Sequence, residues 1–402
     1  MRIAVVNNFY PPRLGGSAHF SASLARGYVE QGHQVVVLTA TYGDAPSHEV
    51  VDGVEIYRLP ARYLPQLGLA IDFDISFTMG RRNLKRVFRI LDDFKPDVIH
   101  QHGQFLDLSW LSGWYARKRR IPVLLSIHTM LKSPKPLFHA IFRMLDGLVV
   151  RPTLSMYKPT LAVQDRIEAD YCIERYKADL ADMVKTVVPV SPEKFSGPPA
   201  RDVRAELGLG DVPFIGSVGH VIPLRDRLLL VEAMPEVLAK FPDTKVVVVG
   251  RVYYDAFLKR AEELGIADAF ICVGTVPQAD VHSYLVAADI EVHDLSGQGA
   301  GTASLEAMAS GTATIFAGTE DTYLDIPLKN WHNTLLVRPD DARGLAAMIV
   351  ELLIDSEKRG QIAKRQQELV RGRFNLDRVV EDHLLAFERL ARAKPTTSLT
   401  SR

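Results

Sequence analysis

Gly297-Gln298-Gly299-Ala300-Gly301-Thr302-Ala303-Ser304-Leu305-Glu306-Ala307-Met308-Ala309-Ser310-Gly311 decides the reading of this 402-residue chain. Three alternating glycines follow a candidate strand at 290–293 and open a helical pattern that carries Glu306 in its first turns. A helix start presents N–H groups without intrahelical partners and the positive end of the helix dipole, and together these suit a diphosphate. A carboxylate beside them repels phosphate, but it accepts two hydrogen bonds from a ribose diol. The competing reading is a loop followed by a helix whose Glu caps its own N-terminus. The regular glycine spacing argues against it.

Outward from this stretch, short β-branched runs alternate with longer helical patterns. The second half carries candidate strands at 214–218, 245–250, 270–273, 290–293, 312–317 and 335–337, with helical patterns such as 228–241 and 255–264 between them. The first half repeats the arrangement at 2–7, 34–38, 54–59, 97–102, 122–128 and 160–163, with a further apolar run at 184–190. Such alternation marks βαβ units and parallel sheets buried on both faces. The expectation is α/β, with two Rossmann-like doubly wound domains facing a cleft: 1–190, a Pro/Gly/Ser-rich linker at 191–200, and 201–375. An amphipathic helix at 376–394 is expected to pack back on the first domain, followed by a disordered tail at 395–402. In open α/β sheets ligands bind outside the carboxyl ends of the strands.

Composition removes several classes of function. Residues are 47% hydrophobic and 24% charged, and 48 basic residues balance 48 acidic ones, without the basic excess of a nucleic-acid binder. Cys172 and Cys272 form no CxxC pair, so neither a zinc site nor a disulfide framework is indicated, and two free thiols suit a reducing compartment. No apolar stretch reaches membrane-spanning length. A cytoplasmic location is expected.

A second glycine turn stands after the first strand, at Asn8-Phe9-Tyr10-Pro11-Pro12-Arg13-Leu14-Gly15-Gly16-Ser17. Two glycines before a helix allow the backbone to approach an anion, and Ser17 is placed to cap that helix. A plain tight turn remains the alternative. A Rossmann oxidoreductase would need Gly-x-Gly-x-x-Gly here, which is absent.

From residue 288 to 311 the sequence resembles the signature of the family 4 retaining glycosyltransferases, enzymes of GT-B fold. That signature pairs two Glu residues eight positions apart, followed by Glu-Ala-Met-Ala and a Gly. Here Glu306 is the second, and Gln298 stands where the first would be. The likeness extends over nearly the whole chain, through Gly32-His33-Gln34-Val35, Pro96-Asp97-Val98-Ile99-His100-Gln101-His102, Pro122 to His128, and Asn333-Thr334-Leu335-Leu336-Val337. The resemblance implies a sugar transferred from a nucleotide-diphosphate donor to an acceptor hydroxyl, without metal or cofactor, in glycan or glycolipid biosynthesis. It implies catalytic roles for His128, Arg225 and Gln298. Gly15, Gly16, His220, Arg225, Gly299, Ala300, Gly301 and Thr302 would hold the diphosphate. Glu306 would bind the ribose, and Val276 and Pro277 would edge the nucleobase. The acceptor would be a sugar, a lipid-linked acceptor or a small molecule.

The chain departs from the family in two places. Gln298 carries no charge where the family has a carboxylate, and His220 replaces an Arg, with Arg227 as a compensating cation. An active variant and a non-catalytic nucleotide-sugar sensor both remain open. Asp72-Phe73-Asp74 matches a metal-binding Asp-x-Asp but precedes a basic helix and is discounted. Arg81, Arg82, Lys85, Arg86 and Arg89 fall in one helical stretch with Leu84, Val87 and Ile90, either a solvated face or a peripheral contact with an anionic membrane.

Overall fold

The computed structural model describes residues 1–13, 15–63, 76–131 and 135–392. They form two compact units, one of Met1–Val187 with the helix Leu376–Arg392, the other of Val188–Asn375. Each is a Rossmann-like parallel sheet between helices, as the strand alternation predicts.

In the first unit the sheet runs Val184–Lys185, Thr160–Val163, Val123–Ser126, Val98–His102, Arg2–Val6, Gln34–Ala40, Val54–Leu59, His48–Val51. Every pairing is parallel except the last, where His48–Val51 lies antiparallel on Val54–Leu59. That edge strand is mostly exposed, so it lacks the apolar run that announces a buried parallel strand. Arg2–Val6 sits between Gln34–Ala40 and Val98–His102, and the direction of winding changes there. The loops after Arg2–Val6 and Val98–His102 therefore emerge side by side, where doubly wound sheets hold ligands.

The second sheet runs Phe270–Gly274, Lys245–Val249, Phe214–Val218, Ile290–Val292, Ala313–Ala317, Leu335–Val337, all parallel. Ile215, Val246, Val248, Ile290, Val292 and Ile315 are fully buried in one core with Leu230, Val231 and Leu345. Here winding reverses between Phe214–Val218 and Ile290–Val292. This adjacency places residues 219–227 beside residues 293–301, although more than sixty positions separate them in sequence.

The stretch read as a linker is packed. Pro192 and Phe195 are buried, and the carbonyl of Gly197 lies 3.2 Å from Nε2 of His282. The closing helix Leu376–Arg392 lies on the helix Gly16–Glu30. Tyr28 meets Phe387 edge-on, and a Cβ at Gly27 would stand 2.5 Å from Val380. Residues 395–402 lie outside the described residues, as do Asp72 and Asp74. Among the described residues, no helix is long and apolar enough to cross a membrane.

Candidate active site

In the second unit, three segments meet at the carboxyl end of the sheet. Arg225 follows Phe214–Val218, its side chain 42% exposed, with Nε 3.3 Å from Oδ1 of Asp294. Arg227 does not supply the compensating cation. It is buried, and its three donor groups go to Ser217 Oγ, the Arg225 carbonyl and the Gly219 carbonyl. Burial lowers it to about 10, and it shapes the loop rather than meeting a ligand. His220 is exposed and accepts the Arg251 backbone N–H at Nδ1, 3.0 Å away. A neutral imidazole held this way carries its proton on Nε2 and offers it as a donor.

The glycine-rich turn behaves differently from the expectation. The N–H of Gly299 donates to the Ala317 carbonyl, that of Ala300 to Tyr323 Oη, and that of Gly301 to Asp294 Oδ2. These three residues are spent on the fold. The N–H groups of Thr302, Ala303 and Ser304, the first turn of the helix Thr302–Ala309, have no partner among the described residues. Of the expected diphosphate set at this turn, Thr302 alone keeps a free N–H, and Ala303 and Ser304 join it. No side chain caps this helix. Gln298 is exposed.

Glu306 projects from the same helix and accepts a long hydrogen bond, 3.4 Å, from Nε2 of Gln278. Burial pushes its carboxyl up to about 7, against the opposing effects of Lys194 and Gln278. Gln278 begins the helix that Pro277 precedes, so the Val276–Pro277 edge lies next to the ribose candidate. Sequence reasoning had assigned neither Gln278 nor Lys194. Neither carries a motif, and both are found only through proximity to Glu306.

In the first unit, Gly15 takes φ +147° at the start of the helix Gly16–Glu30. No side chain caps this helix, so Ser17 does not play the expected part. The N–H groups of Gly16, Ser17 and Ala18 have no partner among the described residues. From the same helix, Phe20 meets the ring of His128 edge-on at 5.0 Å. His128 stands between two partners, with Nδ1 2.9 Å from Gln164 Nε2 and Nε2 2.8 Å from His102 Nδ1. Burial, with His383 nearby, pushes it down to about 4, so it is neutral at physiological pH. His100 is engaged by Tyr28 and Ser126. Among the described residues no three His, Cys, Asp or Glu side chains converge as a metal site.

The family description "Glycosyl transferase 4-like domain" matches residues 15–176, and "Glycosyl transferases group 1" matches residues 200–369. Both matches are to glycosyl transferase domains, and the chain is a glycosyltransferase. This glycosyltransferase is 26% identical over 332 residues to the alpha-monoglucosyldiacylglycerol synthase of Streptococcus pneumoniae, covering 79% of the chain and 71% of that protein. It is 27% identical over 376 residues to the phosphatidyl-myo-inositol mannosyltransferase of Mycolicibacterium smegmatis, covering 92% of the chain and 89% of that protein. Its fold matches the crystal structure of Anabaena HepE in complex with UDP, with a TM-score of 0.73 and 17% identity over 97% of this chain and all of that one.

Proposed function

We propose that this glycosyltransferase moves a hexose-type unit, with retention and without a metal, from a nucleoside-diphosphate donor to an acceptor hydroxyl. One observation carries the reading. An exposed, anchored Arg225, three free N–H groups at the helix start Thr302–Ser304, and Glu306 stand together in the second unit. Breaking the anomeric C–O bond leaves the sugar cation-like and puts negative charge on the diphosphate. Fixed donors aimed at that charge lower the barrier. The guanidinium and N–H groups take the leaving charge, His220 Nε2–H adds a neutral donor, and Glu306 orients the nucleoside by its ribose. In the first unit the helix start at Gly16 and Ser17 keeps N–H groups that are free among the described residues, while both ring nitrogens of neutral His128 are engaged by Gln164 and His102.

The two relatives named for lipid substrates support a lipid-linked acceptor and a peripheral membrane location. The helix Arg81–Phe94 presents Arg81, Arg82, Lys85 and Arg89 to solvent, whereas Val87, Ile90 and Leu91 are buried in the core. Its contact with an anionic bilayer is therefore electrostatic, and liposome co-sedimentation should fall steeply with salt. Binding unaffected by salt or lipid charge would remove that part of the reading.

The test is nucleoside-diphosphate release from a panel of UDP-, GDP-, ADP- and dTDP-sugars, with lipid and soluble acceptors. NMR should show a product with retained anomeric configuration, at a rate unchanged by EDTA. Tight donor binding with no turnover on any acceptor would instead favour a sensor.

A further inference from the structure

The Arg225 side chain is not held by its own loop. Its Nε lies 3.3 Å from Oδ1 of Asp294 as an ion pair, while its Nη groups make no hydrogen bond among the described residues. Asp294 follows the neighbouring strand Ile290–Val292, and its side chain is 4% exposed. Oδ2 accepts the Gly301 N–H at 2.7 Å and the Ser304 hydroxyl at 3.0 Å, and Nε2 of His293 lies 3.4 Å from Oδ1. A Cβ at Gly301 would stand 2.7 Å from Oδ2, so the turn needs glycine there to pass this close. One buried carboxylate thus ties together the basic loop, the glycine turn and the first turn of the helix that offers free N–H groups.

From this geometry the structure assigns Asp294 as the positioning carboxylate of the diphosphate site. It clamps the Arg225 guanidinium by the Nε edge, so that the Nη end faces the phosphate oxygens. It also fixes the distance between that cation and the helix start. The assignment rests on the donor reading for the identity of the anion.

The surrounding charges support an ionised clamp. Burial would raise the Asp294 carboxyl, but His293, Arg225, the Gly301 N–H and Ser304 together hold it below the usual carboxylate range. Burial pushes Glu291 well above that range, and pushes His293 down to about 3, leaving it neutral. Arg227 stays charged but is committed to Ser217 and two carbonyls.

The clamp makes a prediction opposite to that of simple Coulomb attraction. A carboxylate beside a phosphate-binding cation repels the ligand, so removing its charge should tighten binding if charge alone mattered. If Asp294 acts by orientation, removal weakens binding instead. UDP, GDP and ADP, each against its parent nucleoside, are titrated calorimetrically into wild type, Asp294→Asn, Arg225→Ala and the double variant. The diphosphate that wild type binds should bind about tenfold more weakly to Asp294→Asn, a loss of about 1.4 kcal/mol, with nucleoside affinity unchanged. In the Arg225→Ala background the Asn substitution should add little, because the two act as a unit. Arg225→Lys keeps the charge at an exposed position without the Nε edge and should show a similar loss, which makes a second test independent of the buried site. Tighter binding by Asp294→Asn, an undiminished loss in the Arg225→Ala background, or full affinity in Arg225→Lys would overturn the assignment. A wild-type protein that binds none of the three diphosphates overturns the donor reading itself, and the assignment with it.

Discussion

The two glycine turns look alike in sequence and do opposite things in structure. At Gly15 and Gly16 an added Cβ meets nothing within 4 Å among the described residues. At Gly297, Gly299 and Gly301 it meets Pro339 at 2.8 Å, Thr322 and Tyr323 at 2.9 Å, and Asp294 at 2.7 Å. The first turn keeps glycine in open space, where a ligand can approach the backbone. The second keeps glycine because its neighbours are already in contact, and its N–H groups are consumed by Ala317, Tyr323 and Asp294. Glycine spacing therefore locates a turn, and only the packing says whether the turn or the helix after it meets the ligand.

Four substitutions break or sharpen that contrast. The largest expected effect is on Arg225→Ala. It removes an exposed cation aimed at developing charge, so turnover should fall about 10²- to 10³-fold, while the melting temperature stays close to wild type. Steady-state rates beside a thermal melt check both halves. Gly301→Ala is next. It forces a methyl against Asp294 in a packed site, at a cost of about 1–3 kcal/mol of folding stability, measurable by denaturant titration, and it should weaken donor binding with it.

Glu306→Gln should raise the donor KM about tenfold, as expected for a lost charged hydrogen-bond acceptor, with a smaller change in kcat. Its pH dependence has a definite sign. The folded-state carboxyl is raised to about 7, so the ribose-accepting carboxylate forms as pH rises through neutrality. Affinity for a nucleotide sugar, which has no phosphate ionisation in this range, should increase from pH 6 to 8 in wild type and stay flat in the variant. The same raised value means that Glu306 favours the folded state most at low pH, and that this contribution is lost as pH climbs from about 4.5 to about 7. Smallest on stability is Gly16→Ala, a helix position in open space, where replacing glycine should leave the fold unchanged or steadier by about 0.5–1 kcal/mol. A concurrent few-fold loss of donor affinity would mark the first turn as a ligand surface. Unchanged affinity would mark it as a plain turn.

Much of the fold was legible because parallel strands buried on both faces must be written in continuous apolar runs. Lys245–Val249 and Phe214–Val218 stand out in the sequence for that reason. His48–Val51 escaped notice because an exposed edge strand carries no such run. The segment 191–200 reads as a connector by composition, yet Phe195 anchors it, and a single buried aromatic has no periodicity to betray it. At the candidate site, Arg225, Glu306 and Thr302 were singled out by motif and spacing. Asp294, Gln278 and the fate of the Arg227 side chain were not, because each depends on which strands become neighbours. The adjacency of Phe214–Val218 and Ile290–Val292 brings together Arg225 and Asp294, sixty-nine positions apart in sequence.

A crystal structure of the protein with a bound nucleoside diphosphate tests the central claim most directly. The phosphate oxygens should lie about 3 Å from the N–H groups of Thr302 and Ala303 and from Arg225 Nη, with the ribose hydroxyls on Glu306. A nucleotide seated away from that helix start, with Arg225 still free at its Nη end, would contradict the account.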